Sequence, residues 1–129
     1  EEHPAMQPVS RLVFPDSETE QEQFYTTACT AIAHGVGCCW ALQNHRTPVC
    51  TVGCYEKSQE EAYMSAGVTL PDWQGRGLAG WLIVRMANQL AERHTVRFAC
   101  APRLRPFYTR LGFTQQGMLH QYTREWDIL

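Results

Sequence analysis

Phe24, Ala28 and Ile32 recur at intervals of four, with Tyr25 and Cys29 beside them, so one apolar stripe runs along a helix that reaches about Ala33. Ser17 followed by Glu20 makes a capping box at its start. Glu18, Glu20 and Glu22 suit the positive end of a helix dipole, and Gly35 and Gly37 stop the helix. A second stripe of Leu78, Trp81, Leu82, Met86 and Leu90 lies opposite Arg85, Gln89, Glu92 and Arg93, and predicts an amphipathic helix of about four turns. Between these helices the pattern turns to β-branched, aromatic and cysteine residues. Residues 38–56 read as two strands around a turn at 43–48, and residues 62–70 as a third strand that Pro71 and Asp72 end. Residues 57–61 are a polar link. Residues 95–100 predict a short strand, 102–111 a short helix terminated by Gly112, and 113–115 with 119–126 a closing antiparallel pair. The first ten residues, with Pro4 and Pro8, show no periodicity and read as an arm, with a possible first strand at 10–14 inside an N-terminal segment of 1–16. The order is α, β-β-β, α, β, α, β-β, an α/β pattern without repeats or linkers.

The chain has 129 residues, about one domain, and its 44% hydrophobic content can build a core without staples. Eleven Lys and Arg against thirteen Asp and Glu leave a formal charge of -2. That charge provides no basic footprint, so neither nucleic acid nor an anionic membrane is an expected partner. The longest apolar run, 81–84, is far too short to span a bilayer. The six cysteines, Cys29, Cys38, Cys39, Cys50, Cys54 and Cys100, lack the spaced pairs of a secreted scaffold. Cys50 and Cys54 sit about 13 Å apart along a strand, too far to share a zinc ion. Reduced, half-buried thiols and no metal are expected, in a cytoplasmic protein. The sequence opens on Glu1 rather than methionine, which leaves a tag, processing or an excised domain open.

The chemistry concentrates in residues 67–80, GVTLPDWQGRGLAG, a strand that passes through a glycine-rich turn straight into a helix. A helix N-terminus offers unpaired amides and partial positive charge, and glycines let the backbone approach an anion closely. The arrangement therefore suits a phosphate or pyrophosphate. There is no P-loop lysine. Gly75, Gly77 and Gly80 formally satisfy G-x-G-x-x-G, but the following strand region, 95–102, has no acid, and no βαβ unit is repeated, so a dinucleotide reading is disfavoured. A loop that only turns a corner remains the plain structural reading of this segment alone.

Two motifs taken together go further. Gln74-x-x-Gly77-x-Ala79 between strand and helix, and Pro106-Phe107-Tyr108-Thr109-Arg110-Leu111-Gly112-Phe113 some thirty residues on, resemble the GCN5-related N-acetyltransferase (GNAT) superfamily. The first is similar to its acetyl-CoA loop, Q/R-x-x-G-x-G/A, and the second to its F-Y-x-x-L-G-F signature. The resemblance is specific over residues 62–116, an acetyl-CoA-binding and catalytic core within a single 1–129 domain. It implies the α/β GNAT fold, a mixed central β-sheet flanked by helices. The implied activity is transfer of an acetyl or short acyl group from acetyl-CoA, a cosubstrate, to an amine by direct attack in a ternary complex.

Carried onto this chain, the resemblance makes the main chain of Gly75, Arg76, Gly77, Leu78, Ala79 and Gly80, after Gln74, the pyrophosphate cradle. Val68 and Thr69 would bond the pantetheine arm through their backbones, and the same strand edge would polarise the acetyl carbonyl. Tyr108 would be the general acid, giving the departing thiolate a proton or a hydrogen bond; its plain alternative is a core aromatic beside Phe107 and Phe113. Many relatives carry a glutamate where this chain has Tyr63. An amine of pKa about 10.4 is only about 0.04% neutral at pH 7, so a proton must leave by some route. Glu61 shares a strand face with Tyr63 and Ser65, which makes it a candidate base through a water that Ser65 could orient, or else a solvated residue of the link. Ala101 replaces an asparagine common in relatives. Arg76, Arg103 and Arg105 are candidates to meet CoA phosphates or else simply solvated, Trp73 to pack under the loop or border the adenine, and Cys100 to be a buried packing thiol or, less readily, to lie near the acyl group.

The acceptor, a small-molecule amine or a protein amino group, is not readable. Its walls would come from 24–37 and 118–122, which carry no motif. A monomer or homodimer is expected, and a GNAT-like module that binds acetyl-CoA and regulates a protein partner is the alternative to an enzyme.

Overall fold

A computed structural model describes residues 5–117, in two compact units divided between Phe98 and Ala99. The first unit runs α1 (Met6–Val13), α2 (Glu18–Ala33), β1 (Cys38–Asn44), β2 (Thr47–Lys57), β3 (Glu61–Thr69), a 3-10 turn (Pro71–Trp73), α3 (Leu78–Leu90) and β4 (Thr95–Phe98). The sheet order is β1-β2-β3-β4. The first two pairings are antiparallel and β3–β4 is parallel, so the sheet is mixed, as expected.

β2 is buried at every position from Pro48 to Cys54, which requires cover on both of its faces. α1 and α2 supply one cover. Met6, Val9 and Ala28 form a cluster with Cys39 and Ala41 of β1, joined by Phe24, Ile32 and Tyr55. The other cover is α3, which packs on β2 and β3 with Leu82, Ile83, Met86 and Leu90 buried. Ser17 caps α2 as read from the sequence, its hydroxyl accepting from the Glu20 amide at 3.2 Å. The helix closes at Gly35, φ +73°, where Val36 N–H reaches the Ala31 carbonyl and Gly35 N–H the Ile32 carbonyl, both at 3.0 Å.

Residues 6–13 are a helix, not an arm leading to a strand. Pro8 falls in the first turn, where backbone N–H groups have no intrahelical partner and proline costs nothing. An eight-residue helix is marginal alone and gains its stability from packing, here with Met6, Val9, Ser10 and Leu12 buried. The β1–β2 turn is tighter than expected: His45 and Arg46 both take positive φ, 49° and 69°, in a two-residue hairpin loop.

The second unit holds a 3-10 turn (Pro102–Leu104) and α4 (Arg105–Arg110). Residues 113–115 form no strand, and the expected strand at 119–126 lies outside the described residues, as does the 118–122 wall.

Candidate functional site

β3 and β4 pair only from Glu61–Thr95 to Met64–Phe98, where β4 ends while β3 continues to Thr69. Residues 65–69 therefore carry no strand on the edge facing away from β2, among the described residues. A backbone edge of this kind leaves N–H and C=O groups to pair with something other than a strand. Across β2 the same stretch is irregular. Thr51 pairs with Val68 and Gly53 with Ser65, so two steps along β2 match three along β3, a bulge over residues 66–67. Gly67 was the one signal in the sequence that could have revealed it. Val68 and Thr69, the two residues expected to present backbone groups, lie just past the bulge on this open edge. The Thr69 hydroxyl itself turns to β2 and donates to Cys50 Sγ at 3.3 Å.

Beyond Thr69 the chain turns through Pro71–Trp73 into α3. Gln74 closes the turn: its side-chain amide donates to the Thr69 carbonyl at 3.1 Å. Its side chain thus bonds the strand end it has just left, a positioning role the sequence did not reveal. Gly75 and Gly77 adopt φ of +77° and +76°, and a Cβ at either would meet nothing within 4 Å among the described residues. Glycine is required there by backbone conformation, not by crowding. Gly77 is the N-cap of α3; no side chain caps it, and its first turn holds no acid. The amides of Leu78, Ala79 and Gly80 belong to that first turn, and the first helical bond is Trp81 N–H to the Gly77 carbonyl at 3.1 Å. First-turn amides have no intrahelical partner, and among the described residues no cap or first-turn acid offsets the positive dipole end, an arrangement that suits an anion. Arg76 adds a positive charge, but folds back: its guanidinium lies 4.6 Å over the Trp73 ring and donates to the Asp72 carbonyl at 3.2 Å. Trp73 is half-buried beneath it.

Residues 33–115 match the family described as the acetyltransferase (GNAT) domain, well over half of the chain. The chain belongs to the GNAT acetyltransferase-domain family. A predicted acetyltransferase from Clostridium acetobutylicum, solved with acetyl-CoA, superposes with a TM-score of 0.74 at 16% identity, over 95% of this chain and 94% of that one. Glucosamine-6-phosphate N-acetyltransferase from Arabidopsis thaliana gives 0.70 at 11% identity, over 98% of each chain. A GCN5-related N-acetyltransferase from Ralstonia eutropha gives 0.71 at 17% identity, over 95% and 97%. At these identities the likeness is one of fold, and the fold is the GNAT fold. No curated protein matches in sequence.

The GNAT signature around Tyr108 has its own local logic in the second unit. Gly112, φ 102°, ends α4 in a left-handed cap, with Phe113 N–H bonded to the Tyr108 carbonyl at 3.1 Å and Gly112 N–H to the Thr109 carbonyl at 3.0 Å. Tyr108 stands edge-on to Phe107 at 5.0 Å and to Phe113 at 5.9 Å between ring centroids. Burial, with a smaller contribution from the Cys100 thiol, pushes its phenol up to about 12. Cys100 is exposed, not the buried packing thiol expected from the sequence. Arg105 bonds the Gln115 side chain at 3.0 Å, and Arg103 is solvated.

Glu61 shares its strand face with Tyr63 and Ser65, as read, yet sits at the start of β3. Eight residues, 69 minus 61, separate it from Thr69, about 26 Å of extended strand. Its carboxylate is held by Arg97 of β4, Nε to Oε2 at 2.7 Å. The structure thus gathers Val68, Thr69, Gln74 and residues 75–80 at one end of β3 and leaves Glu61 at the other.

Proposed function

We propose that the protein transfers an acetyl or short acyl group from acetyl-CoA to an amine, a small molecule or a protein amino group, by direct attack in a ternary complex. The observation that carries this reading is the run from the open β3 edge at 65–69 into the glycine turn and the uncapped start of α3. A strand edge can receive the amide groups of a pantetheine arm as it would receive a strand, and the helix N-terminus can receive the diphosphate that follows. An edge amide aimed at the thioester oxygen would stabilise the negative charge that develops when the amine attacks.

Tyr108 is assigned the leaving thiolate. Its phenol, near 12, stays fully protonated at neutral pH, so a donor is always present. A thiol near 8.5 is much the stronger acid, so complete proton transfer from such a phenol is uphill. The phenol acts as a hydrogen-bond donor that holds the thiolate as it forms. Glu61 we assign to the sheet: its ion pair with Arg97 ties β3 to β4, and the amine enters from its small neutral fraction.

A second reading, binding of acetyl-CoA without turnover to regulate a protein partner, draws on one observation. The carboxylate of Glu61 is already paired with Arg97, and Tyr63 stands where the family resemblance leads one to look for a glutamate. Titrating the full chain with acetyl-CoA by calorimetry, then following free CoA thiol across a panel of amines, tests both readings. Binding with thiol release in at least one amine supports transfer, binding without release supports regulation, and no binding overturns both.

A further inference from the structure

Cys38 and Cys54 are direct partners across the β1–β2 pair. Directly opposed residues of antiparallel strands project from the same face with Cα atoms about 4.5 or 5.5 Å apart, and both spacings fall inside the range of about 4.4–6.8 Å that a disulfide accepts. Both are free thiols here. Burial first, and then Cys54 itself, raise the Cys38 thiol above its ordinary value, and burial raises Cys54; Lys57 opposes the shift at both.

The remaining cysteines lack this relationship. Cys39 faces Gly53 in the register, and its thiol lies 3.4 Å from the Thr51 hydroxyl. Cys50 faces Leu42 and receives the Thr69 hydroxyl. Cys29 is on α2 and Cys100 lies in the other unit.

We propose that Cys38 and Cys54 are a site of reversible oxidation, closing a cross-strand disulfide by exchange with a small-molecule disulfide of the glutathione type. Cys38 is half-buried and Cys54 fully buried, which sets the order of events. The Cys38 thiolate attacks one sulfur of the small disulfide; a mixed disulfide forms and one small thiolate leaves. The Cys54 thiolate then attacks the Cys38 sulfur, the protein disulfide forms, and the second small thiolate leaves. The two protein thiol protons end on the two released thiolates. Protein and oxidant exchange two electrons, and no atom is added to the chain. The product staples edge strand β1 to the central strand β2 and closes the hairpin covalently, which restricts the unfolded chain.

The test uses the full chain equilibrated in glutathione buffers from reduced to oxidised, trapped by alkylation and mapped by mass spectrometry without reduction. The expected result is paired loss of two thiols, a Cys38–Cys54 linked peptide, reversal by a dithiol reductant, and a rise in thermal midpoint of at least about 5 °C. Cys38→Ser, at a half-exposed position, should keep the native circular dichroism while abolishing both the linkage and the rise. A stable glutathione adduct on Cys38 alone, a different linkage, or an unchanged thiol count in fully oxidised glutathione would overturn the proposal.

Discussion

The Phe113 amide donates to the Tyr108 carbonyl at 3.1 Å while the two rings meet edge-on with centroids 5.9 Å apart. The hydrogen bond and the ring contact together are a helix C-cap: the residue two beyond the cap bonds back to the last turn and packs on it. The F-Y-x-x-L-G-F signature therefore encodes the support of Tyr108 as well as Tyr108 itself. Gly112 is the hinge of that support, because its φ of 102° is one that side chains resist. Gly112→Ala should cost about 1–2 kcal/mol of stability and lower kcat by misplacing Tyr108, with Gly112→Asn milder. Denaturant midpoints and initial rates on the three proteins check this.

If the phenol has the role proposed above, on a charge that exists only late in the reaction, Tyr108→Phe should reduce kcat by about 100-fold while changing the acetyl-CoA KM by no more than about threefold. Because burial raises the phenol to about 12, its donor form persists through the alkaline range. The wild-type rate should climb from pH 7 to pH 10 as the amine loses its proton, with no descending limb from Tyr108 until the pH approaches 12. An intact rate in the phenylalanine variant would remove Tyr108 from the reaction.

Gly77→Ala should raise the acetyl-CoA KM and lower stability by about 1 kcal/mol, although a Cβ there meets no neighbour among the described residues. Its cost comes from the left-handed φ of +76° alone. Gly77→Asn, which tolerates that conformation, should recover most of both effects. Equal loss in the two variants would point to crowding by the ligand instead of backbone strain.

Glu61→Gln distinguishes a sheet tie from a base. Both partners are well exposed, 48% for Glu61 and 43% for Arg97, so the pair contributes little after solvent screening. The expected result is a thermal midpoint lowered by no more than about 3 °C and a kcat within about twofold of wild type. A loss of two orders of magnitude in kcat, with the acetyl-CoA KM unchanged, would restore Glu61 as the base.

Stability should fall at alkaline pH. Burial raises the thiols of Cys38, Cys39, Cys50 and Cys54, and the Tyr55 phenol, whose hydroxyl is buried beside the Cys39 thiol. Each group holds its proton more tightly folded than unfolded. The stabilisation is complete below the unfolded thiol range, near pH 8.5, and is lost as pH rises through it, by up to about 1.4 kcal/mol per thiol per pH unit. Urea midpoints should be flat from pH 7 to about 8 and decline steadily towards pH 10. A midpoint unchanged at pH 10 would contradict the burial argument.

Much of the candidate site's local structure was legible because its parts obey local rules. The Ser17 cap, the stripe of α3, the positive-φ glycines at 75 and 77, and the cap at Gly112 are each fixed by residues within one or two turns of one another. Such preferences act before any distant contact forms. The sequence by itself thus determined the two motifs, their order and the elements that carry them. Only tertiary structure decided the rest. Residues 6–13 became a helix because Met6 and Val9 found a core to enter. β3 outran β4 past Met64, the bulge at 66–67 shifted its register, and Arg97 reached Glu61 from a neighbouring strand. Strand pairing joins residues far apart in the chain, and a one-residue change of register alters which groups face one another, so no short window of sequence contains that information.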